Sequence, residues 1–195
     1  MLNIQQLSFS YGKKKVLDRL DIQLKPGELL AILGPSGCGK STLLNLIAGL
    51  RKPTEGSIET NARRIAYVFQ EPRLFPWLTV TENLYAVMDR NHPDKENTAA
   101  DALQTVELSD SAQLYPSALS GGMKSRASLA RALVSGGDLY LLDEPFAALD
   151  AEMRRSLATA LRQKLKQSNA SAILVTHQLE DAQCFADRIC RITEL

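Results

Sequence analysis

The sequence lacks a long apolar run, an N-terminal secretion signal and an excess of charge of one sign. Its 195 residues carry 23 Lys and Arg against 22 Asp and Glu, a net charge of +1. No apolar stretch approaches the ~18 residues that a membrane-spanning helix needs. The chain also does not open with a basic region followed by an apolar one. Because nucleic-acid-binding proteins usually carry a basic excess, this balance argues against nucleic acid as a partner.

Cysteine is scarce, and its pattern argues against a cysteine metal site and against a disulfide framework. The three cysteines are Cys38, Cys184 and Cys190, and their spacing is not that of metal ligands. An odd number without a secretion signal favours free thiols in a reducing compartment. We expect Cys184 and Cys190 to be small core residues. Cys38 differs because it lies inside a glycine-rich segment.

Apolar patterning predicts an α/β fold, because strand-like and helix-like segments alternate along the chain. Residues 2–9 and 16–24 alternate apolar and polar side chains and predict antiparallel strands of a peripheral sheet. The nearly continuous apolar runs 28–33 and 139–142 predict strands that are buried on both faces. Further predicted elements are a helix at 40–50, strands at 57–60 and 64–69, a helix at 152–167, a strand at 172–176, a helix at 179–186 and a strand at 189–192.

Helical patterning dominates the middle of the chain, from Thr79 to about Leu119. A further helix is predicted from Ser120 to about Val134. This stretch separates two blocks of α/β pattern, so we predict a helical subdomain, at about 79–134, inserted into a single domain of residues 1–195.

A glycine-rich segment between a predicted buried strand and a predicted helix matches the phosphate-binding pattern G-x-x-x-x-G-K-[ST] in full. Its glycines let backbone N–H groups turn toward phosphate oxygens, and the helix N-terminus adds positive potential. We expect Lys40 to contact the β- and γ-phosphates, Ser41 to bind Mg²⁺ and Thr42 to donate to the α-phosphate. The alternative is a glycine-rich turn with a chance lysine. The predicted loop consists of Gly34, Pro35, Ser36, Gly37, Cys38, Gly39, Lys40, Ser41 and Thr42.

Two carboxylates end the apolar run 139–142. Nucleoside triphosphatases with this type of loop need an acid near Mg²⁺ and a group that orients water. Asp143 would reach the metal through water, and Glu144 would accept a proton from the attacking water. The alternative is a strand that simply ends in solvent. Together with the loop, the pair predicts hydrolysis of ATP.

These and further motifs, and their order, resemble those of the nucleotide-binding domain of ATP-binding cassette (ABC) transporters. The resemblance covers essentially the whole chain. Residues 119–123 resemble the signature sequence, Gln70 the Q-loop, residues 147–150 the D-loop and His177 the switch histidine. The resemblance implies a P-loop NTPase core of the ABC type, with a peripheral antiparallel β-subdomain and an inserted α-helical subdomain.

The resemblance also implies roles for single residues around the nucleotide. Gln70 would contact Mg²⁺ and the attacking water, His177 the γ-phosphate, and Tyr11 would stack on adenine. Each role has an alternative. Gln70 would be only a polar residue at a strand end, His177 would make only a structural hydrogen bond, and Tyr11 would be an aromatic residue in a surface turn.

The signature segment implies a second subunit. Ser120, Gly121 and Gly122 open a predicted helix, whose N–H groups suit an anion. By resemblance they would contact the γ-phosphate of the ATP held by the partner, with Asp150 at the same interface. This implies a head-to-tail homodimer or paired cassettes. The alternative for Ser120 and Asp150 is an ordinary helix N-cap.

Two local features resemble the importers of nitrate, sulfonates, taurine and related small molecules. They are residues 71–79 after the Q-loop, and Met123 in place of the usual glutamine. The resemblance implies uptake of a small organic or inorganic anion, or a related solute, through transmembrane permease subunits. It also implies a periplasmic or extracellular solute-binding protein and a peripheral location at the cytoplasmic face of the inner membrane. Phe75, Pro76 and Trp77 would then receive a helix of the membrane partner, unless Trp77 anchors the helical subdomain.

Two other functions stay open at this point. A soluble ABC ATPase of DNA repair or translation would carry coiled-coil insertions or tandem cassettes, and neither is visible. A switch that binds ATP without hydrolysis is disfavoured by Glu144. Importers of this type usually continue past the last strand, so a chain that stops at Leu195 is expected to be minimal or truncated.

Overall fold

The computed structural model describes residues 1–192, so the last three residues of the predicted 1–195 domain lie outside it. Within this range the chain forms two β-sheets and six α-helices. The α/β fold predicted from the apolar pattern is confirmed. None of the described helices combines the length and the apolar character needed to cross a membrane.

The larger sheet has five parallel strands in the order β5-β6-β7-β3-β8. Its strands are β3 (Leu29–Leu33), β5 (Ile65–Val68), β6 (Leu139–Asp143), β7 (Ser171–Thr176) and β8 (Arg188–Arg191). Every residue of β3, β6 and β7 is buried, because apolar layers cover both faces of the sheet. Along β3, Leu30 and Ile32 pack into one core, while Leu29, Ala31 and Leu33 pack into the other.

The smaller sheet is antiparallel and has the order β2-β1-β4. Its strands are β1 (Leu2–Tyr11), β2 (Lys14–Leu24) and β4 (Glu55–Thr60). The first hairpin is longer than the sequence predicts, because both strands continue to a tight turn. Gly12 lies in this turn with a φ of +58°, a left-handed conformation that glycine adopts without strain. The longer hairpin brings Tyr11 and Lys14 close to the predicted phosphate loop.

The helices are α1 (Lys40–Ile47), α2 (Val80–Tyr85), α3 (Lys95–Thr105), α4 (Gly121–Val134), α5 (Ala151–Gln167) and α6 (Leu179–Phe185). Thr79 caps α2 in a capping box with Glu82, as expected for a helix start. Helix α1 ends three residues earlier than predicted, since Ala48 is its C-cap and Gly49 turns the chain with a φ of +71°. Two short 3₁₀ turns at Ser109–Ser111 and Pro116–Ala118 interrupt the predicted helical region before α4.

Helices α2, α3 and α4 follow β5 and precede β6, and they share one apolar core with the parallel sheet. The other core lies between that sheet, α1 and the antiparallel sheet. A boundary for an inserted subdomain at about 79–134 stays a prediction. This arrangement places the carboxyl ends of β3, β6 and β7 along one edge, where the predicted site residues follow.

Candidate nucleotide-binding and hydrolysis site

The predicted phosphate loop connects the end of β3 to the start of α1. Gly37 and Gly39 have φ angles of +85° and +97°, in the left-handed region that favours glycine. A Cβ atom on Gly39 would also lie 2.8 Å from side-chain atoms of both Val16 and Leu17. Glycine is therefore required at position 39 by both backbone conformation and space.

A cleft of about 280 Å³ opens at this loop. It brings residues from both sheets and from the loop ends together. It is lined by Tyr11, Lys14, Val16, Ser36, Gly37, Gly39, Lys40, Ser41, Thr42, Gln70 and Glu144. Lys14 and Val16 are cleft residues that the sequence patterns did not single out. A signal for Lys14 was available in the basic run that follows Tyr11.

Lys40 lies in the first turn of α1 and is only 5% exposed. Its Nζ donates to the carbonyl oxygens of Gly34 and Pro35, both at 2.8 Å. The same nitrogen lies 3.6 Å from a carboxylate oxygen of Glu144. The lysine charge thus lies at the centre of the loop, where a buried cation interacts strongly with an anion.

Ser41 and Asp143 join the loop to the end of β6. The Ser41 hydroxyl donates to Asp143 Oδ1 at 3.0 Å, although the two residues are 102 positions apart. Burial raises the pKa of Asp143 above its ordinary value, while the Ser41 hydrogen bond opposes this shift. No group of three or more acidic, histidine or cysteine side chains suited to a metal occurs among residues 1–192.

Glu144 occupies a strained turn directly after β6. Its φ of +46° is unusual for a residue with a side chain and costs on the order of 1 kcal/mol. Its N–H donates to the Val175 carbonyl at 3.0 Å, which fixes the turn to β7. Its carboxylate then meets His177 Nδ1 at 3.0 Å. Strained residues cluster at functional sites, and this one aims its carboxylate into the cleft.

Tyr11 stands at the open side of the cleft and is 44% exposed. Phe9 packs against its ring edge to face, with centroids 4.9 Å apart. The guanidinium carbon of Arg51 lies 4.8 Å from the ring centroid of Tyr11. Both contacts hold the ring in place, and no motif in the sequence points to Arg51 as a neighbour of Tyr11.

The segment after Gln70 is fixed by two side chains of the helical region. Arg131 of α4 donates to the carbonyl oxygens of Pro72 and Arg73, at 3.0 and 2.8 Å. Asn83 of α2 bonds backbone groups of Phe75, Leu78 and Thr79. Gln70 itself is exposed and lines the cleft.

Trp77 is 69% exposed, and its ring lies 5.7 Å from that of Phe75. This exposure contradicts the alternative that Trp77 is a buried anchor of the helical subdomain.

Five predicted residues of the loop and the ends of β6 and β7 do not line the cleft, namely Gly34, Pro35, Cys38, Asp143 and His177. Four predicted residues from other segments do not line it either. The Ser120 hydroxyl accepts from the Met123 N–H and caps α4, and Asp150 caps α5 through the Met153 N–H. The capping roles that the sequence left open are therefore present. The segment 147–150 also touches the signature glycines, since a Cβ atom on Gly122 would lie 3.1 Å from the Ala148 carbonyl oxygen. The four residues are Ser120, Gly121, Gly122 and Asp150.

The cysteines are free. Cys38 is half-buried in the phosphate loop, and a Cβ atom on Gly34 would lie 2.6 Å from its sulfur. Cys184 and Cys190, predicted to be small core residues, are half-buried. Both pack at the margin of an apolar core.

Comparisons with known proteins agree with this geometry. The family model described as ABC transporter matches residues 17–147. An aliphatic sulfonates import ATP-binding protein of Bacillus subtilis is 42% identical over 177 residues, covering 87% of this chain and 69% of that protein. A second one, from Paracoccus denitrificans, is 46% identical over 192 residues, covering 98% of this chain and 77% of that protein.

A solved structure shows the same fold. It is the dimeric structure of an ATP-binding cassette in a post-hydrolysis state, bound to ADP and phosphate. It is 28% identical, with a TM-score of 0.86, and the match covers 98% of this chain and 94% of that one. The chain therefore belongs to the ABC transporter family and is an ATP-binding cassette that hydrolyses ATP.

Proposed function

We propose that this cassette drives the import of a small organic anion, with sulfonates as the first candidates, through permease subunits at the cytoplasmic face of the inner membrane. The relatives named as aliphatic sulfonate importers support this substrate class. A solute-binding protein would deliver the anion to the permease. The observation that carries the catalytic part is Glu144, which is hydrogen-bonded to His177 and faces Lys40 beside the loop.

In the proposed mechanism, the loop N–H groups and Lys40 hold the phosphates of ATP. Glu144 accepts the proton of the attacking water. His177 keeps the Glu144 carboxylate in place through the 3.0 Å contact and lies close to the loop at Gly34 and Pro35. Tyr11 offers an aromatic face to adenine. The strained backbone of Glu144 fixes its carboxylate before the substrate arrives.

The residues present fit a Mg²⁺ ion bound together with the phosphates of ATP. Ser41 and Asp143 supply the hydroxyl and carboxylate oxygens that Mg²⁺ prefers, and Gln70 lines the same cleft. When bound, Mg²⁺ would neutralise charge on the phosphates. A site with few protein ligands is what Mg²⁺ with nucleotide phosphates requires.

A second cassette would complete the site. Ser120 and Gly121 are exposed at the start of the 14-residue helix α4, and the N–H groups there suit a phosphate. The structural relative is a dimer, which supports the pairing of two cassettes. The exposed rings of Phe75 and Trp77 would contact a helix of the permease.

Purification of the tagged chain from membranes tests the proposal. We expect a multi-span permease to co-purify, and sulfonate to stimulate ATP hydrolysis in liposomes that contain the permease and its solute-binding protein. Trp77→Ala should reduce recovery of the permease but not the ATPase rate of the free cassette. Ile189→Ala, a change of an exposed residue on edge strand β8, is the matched control. Recovery with ribosomes or DNA instead of a permease would contradict the proposal.

A further inference from the structure

Two buried polar atoms face each other between helices α5 and α6. Nε of Arg154 lies 3.7 Å from Oδ1 of Asp181, and neither atom has a hydrogen-bond partner in the described part of the chain. Asp181 is only 4% exposed. Buried polar atoms without a partner are rare in native proteins, and a buried ion pair is weak evidence for stability. This pair therefore needs an explanation other than stability alone.

The Asp181 side of the pair reaches the strand end that carries His177. Thr176, the last residue of β7, donates its hydroxyl to Asp181 Oδ2 at 3.2 Å. The same hydroxyl accepts from the N–H of Gln178 at 3.1 Å. The hydroxyl thus fixes the backbone on both sides of His177, and Asp181 fixes the hydroxyl.

The Arg154 side reaches the segment that carries Asp150. The guanidinium donates to the carbonyl oxygen of Leu149 at 2.9 Å. Leu149 precedes Asp150, the N-cap of α5, and follows Ala148, whose carbonyl oxygen adjoins Gly122 of the signature segment. A shift of this segment would therefore change its contact with Gly122 at the start of α4.

We propose that the Arg154–Asp181 pair is a positioning link that holds the backbone around His177 in a fixed relation to segment 147–150. The link would set His177 for its contact with Glu144 and Asp150 for its contact with the second cassette at the same time. It rests on the proposed role of His177. Neither member lines the cleft, so both act through other residues.

The link depends on the negative charge of Asp181, which is the counterion of Arg154. Burial raises the pKa of Asp181, while Arg154 and the hydrogen bond from Thr176 oppose that shift. Loss of the carboxylate charge leaves a buried guanidinium without its counterion. Arg154 would then be free to leave the Leu149 carbonyl, and the two loops would move independently.

A second ion pair joins the same two helices and provides a matched control. Arg155 and Glu180 are 3.2 Å apart, and their side chains are 63% and 60% exposed. Exposed pairs contribute little. Among residues 1–192, neither side chain of this pair hydrogen-bonds segment 147–150 or Thr176. Removal of this pair tests whether any cross-helix ion pair would have the same effect.

The experiment measures kcat and the ATP dissociation constant of the purified chain for Asp181→Asn, Arg154→Gln and the double variant. We expect Asp181→Asn to lower kcat about tenfold and to change the dissociation constant less than about twofold. The double variant should be no slower than the slower single variant, because both break one link. Asp181→Glu keeps the charge and should restore most of kcat. Glu180→Gln with Arg155→Gln should leave kcat unchanged.

The same measurement in a His177→Ala background separates the link from the proposed function. In the His177→Ala background, Asp181→Asn should not lower kcat further. If His177→Ala alone leaves kcat unchanged, the proposed role of His177 fails, and the link fails with it. Additive losses in the double variant, or an unchanged kcat of Asp181→Asn, overturn the link alone. If Asp181→Asn does not fold, Thr176→Val breaks the link at its other end and must give the same kcat loss.

Discussion

Glu144 and His177 are 33 positions apart, yet the carboxylate of one lies 3.0 Å from Nδ1 of the other. Parallel pairing of β6 with β7 brings them together, because Asp143 pairs with Val175 and both residues follow directly after their strands. The contact places a carboxylate that is orientated by an imidazole beside the phosphate loop. This is the arrangement expected of a general base with a positioning partner.

The first prediction concerns this carboxylate. Glu144→Gln keeps the shape of the side chain but removes its basicity, so we expect ATP binding to persist while hydrolysis falls by at least about 100-fold. ATP should then trap a dimer that size-exclusion chromatography detects. Glu59→Gln, a change on β4 outside the cleft, is the control. An unchanged ATPase rate would exclude Glu144 as the base.

Lys40→Ala should weaken ATP binding for two reasons. The charge that faces the phosphates is lost. The hydrogen bonds by which Nζ holds the loop at the carbonyl oxygens of Gly34 and Pro35 are lost as well. We expect the dissociation constant to rise at least about tenfold, since each hydrogen bond to a charged group contributes ~1.5–3 kcal/mol. Fluorescent-nucleotide titration measures it, with Lys95→Ala in α3 as the control. Normal affinity would contradict the assignment of the loop.

The phosphate loop could be predicted from the sequence because its nine residues are contiguous. The structure confirms the predicted strand before it and the predicted helix after it. The sequence places Ser41 and Asp143 around one Mg²⁺, but it does not predict the direct hydrogen bond between them. The contact between Arg154 and Asp181 was not predictable either, because it depends on how helices α5 and α6 pack. The length of the first hairpin was missed, since a turn at Gly12 depends on a left-handed conformation that no apolar pattern reports.

Cys38 makes the loop accessible to chemical probing. The thiol is half-buried inside the loop, and its sulfur lies against Gly34. Alkylation adds bulk where phosphates would bind, so we expect it to abolish ATP binding, and we expect ATP to slow the alkylation. Mass spectrometry of peptides that contain Cys38, Cys184 and Cys190 distinguishes the three thiols.

The matched variant for this experiment is Cys38→Ala, which should bind ATP and resist inactivation by the same reagent. If ATP leaves the rate of Cys38 alkylation unchanged, the thiol does not lie beside the nucleotide. Inactivation of Cys38→Ala would point instead to one of the other two cysteines.

The last prediction concerns acid stability. Burial alone would raise the pKa of Asp187, but hydrogen bonds from Lys166, the Leu29 N–H and Arg162 together hold it below its ordinary value. A lowered folded-state pKa stabilises the protein above the unfolded-state pKa of about 4, and this stabilisation is lost as the pH falls through the folded-state value. Asp187→Asn should therefore lower the free energy of unfolding at neutral pH by roughly 1 kcal/mol, because water screens the charge of this partly exposed side chain.

The free energies of unfolding of Asp187→Asn and of the parent chain should converge as the pH falls below about 4. The reason is that the parent carboxylate then becomes protonated. Urea unfolding at a series of pH values measures it. Asp110→Asn, at an exposed position in a 3₁₀ turn, is the control and should change the unfolding free energy little at any pH. A difference between Asp187→Asn and the parent that stays constant down to low pH would mean that the packing of Asp187, and not its charge, joins β3, β8 and α5.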